Sequence, residues 1–227
     1  MQPRIQPRTG IAIVAVLTAA LCQGAAGQDA QSKEAQSRET KGLPARAAPG
    51  DYQAHAQAGA LTIAAEFSAH SISSPQGVLN TEDYVVVEVA FFGPPDTHIN
   101  LSGDEFSLRI NGKKPLPVQP YAMVFGSLKD PEWEAPEAAD AKSKTSIGTG
   151  GGGQSDPSAT PKIVHVPIAI ERGWQQRVQK GALPEGDRTV PTAGLIFFKY
   201  HGKADGIDTI DLAYAGSAGK ATLKLHP

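Results

Sequence analysis

The sequence predicts an all-β protein, an antiparallel β-sandwich of about seven to nine strands with one short helix. Three observations carry that expectation. The first is Tyr84–Phe92, YVVVEVAFF, the densest run of β-branched and aromatic residues in the chain, closed by Gly93-Pro94-Pro95. Val85, Val87, Val89 and Phe91 fall on one side of a strand, and Val86, Glu88, Ala90 and Phe92 on the other. A strand apolar on nearly both sides belongs in the middle of a sheet, covered on both faces. The second is Asn111-Gly112, the strongest short-range hairpin signal, because a type I′ turn needs positive φ at both central residues. The third is spacing: short alternating runs recur between turn residues across 61–226, with little helical periodicity.

The chain opens on a secretory signal over 1–27. Arg4 and Arg8 supply the positive start, Ile11–Leu21 the apolar run, and Ala25-Ala26-Gly27 the small residues of a cleavage site, leaving Gln28 as the new N-terminus. The apolar run is too short for a membrane-spanning helix, which needs ~20 residues. The expected destination is the periplasm or the exterior, with no membrane span after cleavage. Cys22 is the only cysteine and would leave with the signal, so no disulfide is expected. A lipid anchor on Cys22 is the rival reading; Leu21, where a small residue normally precedes a lipidated cysteine, argues against it. Residues 28–58, rich in Ala, Gln, Ser and mixed charge, read as a disordered spacer.

The sandwich is expected over 59–227. Leu61–Ala69 alternates as a half-buried strand, Ser73–Gly77 turns the chain, and Tyr84–Phe92 follows. Gly93–Asp104 reads as a polar loop. Phe106, Leu108 and Ile110 face one way along the strand before Asn111-Gly112. The return run Lys113–Val118 carries Pro115 and Pro117, which lack the N–H of a central ladder, so it must be an edge strand or a short one. Glu132–Pro161, with Gly150–Gly153, reads as a flexible insertion. Ile163–Ile170 reads as a strand edged by Pro167. Glu171–Gly181 is the one helix, with Trp174 and Val178 at i and i+4. Pro184-Glu185-Gly186 turns the chain into strands Gly194–Tyr200, Thr209–Tyr214 and Lys220–His226, the last two joined by Ala215–Gly219.

Several chemistries are disfavoured. A net charge of −2 and no basic cluster argue against nucleic acid. None of the six histidines, His55, His70, His98, His165, His201 and His226, pairs at i, i+4 with a glutamate as a metalloprotease helix requires. A zinc site across strands would lack a cysteine partner. Asp205, Asp208 and Asp211 miss the alternate-position oxygen ligands and closing Glu of a calcium loop. Ser217-Ala218-Gly219-Lys220 has the spacing of an acyl-transfer motif but falls in a hairpin turn, where a helix is needed. Gly219-Lys220 is no phosphate loop, with Tyr214 and Ala221 where glycine and Ser/Thr belong. No catalytic residue, cofactor or metal is therefore expected. Trp133 and Trp174 are the candidate partner contacts, since aromatic rings supply large contact area.

The order of motifs resembles the secreted, Ig-like β-sandwich domains of unknown function found in bacterial envelope and exported proteins. The residues that carry it are Tyr84–Phe92; Asp104-Glu105-Phe106-Ser107-Leu108 with Gly112-Lys113; Leu183-Pro184-Glu185-Gly186; Gly194-Leu195-Ile196-Phe197-Phe198; and Ile210–Leu225. The resemblance covers about 61–226 apart from the insertion, and implies a fold and export but no catalytic residues. The long insertion and the Trp174 helix depart from the pattern. The expected function is an exported, non-enzymatic binding or assembly module of the cell envelope. Its partner would be an envelope or extracellular protein or glycan, met by the insertion 132–161 and neighbouring loops. The rival classes are a metal-dependent or hydrolytic enzyme with a site assembled across strands, and a structural subunit that self-associates by its sheet edges.

Overall fold

The computed structural model describes residues 40–133 and 165–227. The expected signal over 1–27, the first part of the spacer and residues 134–161 of the insertion lie outside them. Eight strands form one antiparallel sheet in the order β1 (Ala54–Ala58), β2 (Leu61–Phe67), β5 (Tyr84–Phe92), β11 (Thr192–Lys199), β8 (Leu116–Gln119), β7 (Phe106–Ile110), β12 (Ile210–Gly216) and β13 (Gly219–Leu225). Two small sheets flank it: β3 (Ser71–Ser74), β4 (Gly77–Thr81) and β9 (Leu128–Lys129) in one, β6 (His98–Leu101) and β10 (Gly186–Thr189) in the other. The helix α1 spans Ile168–Gly181.

The all-β expectation holds, with the strands in one continuous order. The joint is β8. Its Leu116 and Pro117 pair with Leu108 and Ser107 of β7, while Val118 and Gln119 pair with Phe198 and Phe197 of β11. A strand shared in this way joins β1-β2-β5-β11 to β7-β12-β13 in one continuous sheet. The outer strands also meet. A side chain at Gly59 would strike the Ala218 backbone, one at Gly219 would press on Ala58 and Gly59, and Gln53 Nε2 donates to the His226 carbonyl at 2.7 Å. The sheet thus curls until its first and last strands lie together.

Period-two alternation fills the interior. Val85, Val87, Val89 and Phe91 of β5 share one buried core with Phe106, Leu108, Ile110, Ile210, Leu212, Tyr214, Leu223 and Leu225. Phe91, Phe106 and Tyr214 form an aromatic knot, with Phe91–Tyr214 centroids 5.5 Å apart and Phe106–Tyr214 5.0 Å. Each such side chain contributes about 1.5–3 kcal/mol by leaving water.

The other side of β5 is covered too, as its sequence requires. Val86 packs with Tyr84, Leu195 and Phe197 under Trp174 and Val178 of α1, together with Ile72, Leu79 and Val124. Ala64, Ala90 and Ala193 are paired across β2, β5 and β11 and make a flat floor of small side chains. The strap 40–53 lies over that floor, with Tyr52 buried and Leu43 and Ala45 packed against it. Leu43 N donates to the Ala193 carbonyl at 2.9 Å.

Three local expectations change. Residues 40–58, read as spacer, contain β1 and the strap; alternating alanines suffice for a strand when β2 supplies the ladder and Ala54, Ala56 and Ala58 pack on the main core. The loop 93–104 holds β6, whose Ile99 and Leu101 are buried. The run 163–170 gives no strand in its described part: Pro167 sits just ahead of α1 with φ −58, and its carbonyl accepts from Ile170 N and Glu171 N. Proline suits a helix start, having no N–H to leave unpaired. The expectation for β8, an edge strand or a short one, is met in its second form: β8 is interior and only four residues long.

Asn111 and Gly112 have φ of 52 and 66, the paired positive values the hairpin signal requires. The Asn111 side chain does more than turn. Oδ1 accepts from Asp208 N at 2.7 Å and Thr209 N at 3.1 Å, and Nδ2 donates to the Gly206 carbonyl at 2.8 Å. It pins the loop between β11 and β12.

Candidate functional site

The candidate site is a groove of about 410 Å³ beside α1. The helix buries Trp174 and Val178 against the sheet and turns its polar face outward. Arg177 lies between the two faces. Its Nη1 donates to the Gln76 carbonyl at 3.1 Å, and its Nη2 reaches Asp130 Oδ2 at 3.4 Å. One largely covered side chain thereby joins the helix, the β3–β4 turn and the segment after β9. Leu43, Ile72 and Leu195 line the apolar part of the groove, and Ser73, Gln76, Gln176 and Lys180 its polar part. Lys180 brings positive charge, while that of Arg177 is met by Asp130; neither Asp nor Glu is among the described lining residues. A groove of this kind can hold a small molecule or a short peptide with an acidic group.

A second cavity, about 150 Å³, lies between β8, residues 182–185 and β11. Asp104 and Glu185 line it, and Glu185 Oε1 accepts from Gly103 N at 3.3 Å. It is smaller and more acidic than the α1 groove.

The two tryptophans come together. Their centroids are 6.4 Å apart in an edge-to-face arrangement. Trp174 is 6% exposed and belongs to the core beneath α1, so it offers a partner almost no surface. Trp133 is half-buried against the same cluster.

The other residues weighed from the sequence are scattered. His98 faces Asp187 at 3.2 Å, His201 faces Asp83 at 2.9 Å, and His70 sits between two backbone carbonyls. Among the described residues, no group of three or more His, Cys, Asp or Glu is placed to hold a metal ion. Asp205 and Asp208 are exposed on the loop that Asn111 pins. Ser217 Oγ donates to the Asn100 carbonyl at 3.0 Å from the tight turn between β12 and β13. No helix among the described residues is long and apolar enough to cross a membrane.

The groove itself escaped the sequence reading, because it is built from four separate stretches. Its one legible signal was the polar face of the Trp174 helix. Comparison with known proteins finds no match among family models, curated proteins or solved structures.

Proposed function

We propose that the protein is an exported, non-enzymatic binding module and that the groove beside α1 takes its ligand or a segment of its partner. The observation that carries this reading is a groove of about 410 Å³ with Lys180 on its wall, within the range of small-ligand sites, held open by a helix, a hairpin and a strap on a packed sheet. Its charge favours an acidic group on the occupant. Export rests on the leader-like residues 1–27, and places the partner in the envelope or outside the cell. In the same reading the curled sheet is an Ig-like sandwich, with β1-β2-β5-β11 as one layer, β7-β12-β13 as the other and β8 as their seam.

The test compares the form starting at Gln28 with Lys180→Glu, a change at an exposed position. Stability should shift by no more than about 0.5 kcal/mol. Capture of envelope components by the immobilised protein should fall about tenfold or more, because reversing a charge at a binding site repels an acidic group. Equal capture by both forms removes the groove as the site. Wild-type protein that retains nothing specific overturns the binding module.

A further inference from the structure

His70, in the turn between β2 and β3, has both ring nitrogens against backbone carbonyls. Nδ1 is 2.7 Å from the Tyr84 oxygen and Nε2 is 2.9 Å from the Gly202 oxygen. The ring stacks on Tyr200 at 6.3 Å and 28°. The backbone around it is fixed: Val86 N donates to the Ala69 carbonyl and Thr81 N to the His70 carbonyl, both at 2.8 Å. The imidazole therefore has little room to swing away.

A carbonyl oxygen only accepts. A neutral imidazole has one N–H, so it satisfies one of the two carbonyls and turns a lone pair toward the other. An imidazolium donates to both, and charge-assisted bonds are the stronger kind. We propose that His70 is a pH-sensitive clasp: as an imidazolium it ties the entrance of β5 to the loop after β11, and on losing a proton it releases one of those ties.

The loop in question joins the two half-sheets. Asn111 holds its far end at Gly206, Asp208 and Thr209, while His70 holds its near end at Gly202. A neutral ring that keeps its proton on Nδ1 loses the Gly202 tie and frees the near end alone. The ionisable groups on the segments packed against the ring are Glu82, Asp83 and Tyr84 before and in β5, and Tyr200, His201, Lys203 and Asp205 after β11. Glu82 pairs with Lys129, and Asp83 with His201. His201 is the other histidine in this set; its pair is exposed on both sides and serves as the control. The sign is fixed by the donor count. The imidazolium makes both bonds and the neutral ring makes one, so raising the pH can only remove a tie.

The test uses ¹⁵N-labelled wild-type protein. At about pH 5.5 both ring nitrogens of His70 should carry protons, and at about pH 8 only one. Exchange of the Tyr200 and Gly206 amides, corrected for base catalysis, should rise about tenfold between these conditions, as loss of one charge-assisted hydrogen bond implies. His70→Asn should exchange fast at both pH values, whereas His201→Asn should keep the wild-type dependence. A bare His70 nitrogen at the lower pH, pH-independent exchange, or a dependence that follows His201 would each overturn the clasp. Should His70→Asn fail to fold, the wild-type ring signals and His201→Asn decide the matter.

Discussion

Glu66 on β2 and Glu88 on β5 stand directly opposite each other across the ladder. Like charges so placed destabilise a sheet. Arg46 of the strap resolves the conflict. Its Nη1 meets Glu66 Oε2 at 2.5 Å, its Nη2 meets Glu88 Oε2 at 3.1 Å, and its guanidinium lies 4.5 Å from the Tyr52 ring centre. The hydrogen bond to Glu66 comes first among the causes that hold the Arg46 proton more tightly than usual. The strap thus has an apolar footing on three alanines and an ionic one beside them.

Removing that ionic footing should loosen the strap. Arg46→Met leaves two carboxylates facing each other and is expected to cost about 1–2 kcal/mol, limited by the partial exposure of the group. Glu66→Gln with Glu88→Gln in the same background should recover most of the loss, read from urea unfolding. If the added substitutions recover nothing, repulsion between the carboxylates is not the source.

Gly194 is the position on β11 least able to accept a side chain. A Cβ there would run into the Leu183 backbone and the Ala182 carbonyl carbon. That segment cannot retreat, because Leu183 N donates to the Leu195 carbonyl at 2.9 Å. Gly194→Ala should cost about 3 kcal/mol, at the upper end for overpacking. Gly126→Ala meets nothing within 4 Å and should stay within about 0.5 kcal/mol. Equal midpoints in chemical denaturation would refute the contrast.

Alkaline stability should be governed by two phenols. Burial first, and the nearby Glu105 carboxylate further, push the Tyr214 pKa upward. Burial does the same at Tyr52. Both phenols ionise more readily in the unfolded chain, so their contribution is complete below the unfolded value of about 10 and fades as pH rises past it. The unfolding free energy should stay level to about pH 9 and then fall. Tyr214→Phe should reduce that fall. Tyrosinate absorbance checks the cause: Tyr214 and Tyr52 ionising near pH 10 while the fold persists would contradict it.

The parts of the fold legible in the sequence are those where side-chain type and backbone demand agree. Tyr84–Phe92 announced a two-sided strand, Asn111-Gly112 a turn with positive φ, and Ile210–Leu225 a closing hairpin. The parts that escaped are stabilised by their surroundings. Ala54-His55-Ala56-Gln57-Ala58 has small apolar side chains and becomes a strand through pairing with β2. Ser71–Ser74 and Gly77–Thr81 are held as a hairpin under α1 by Ile72 and Leu79. Ile168 begins a helix although it is β-branched, because Pro167 sets the start and Trp174 and Val178 supply the anchoring face. The groove was illegible for a simpler reason: Leu43, Ser73, Lys180 and Leu195 become neighbours only after the strap, hairpin and helix have docked.

The meeting of β1 with β13 has a consequence for how the molecule is made. Ribosomes deliver Ala54–Ala58 long before Gly219–Leu225 exists, and domains finish folding only when their last partner arrives. Until then the nascent chain carries an open seam, with β1 lacking the neighbour that β13 supplies. Completion of the curled sheet therefore waits for β13, and its rate is set by a search between distant parts of the polypeptide.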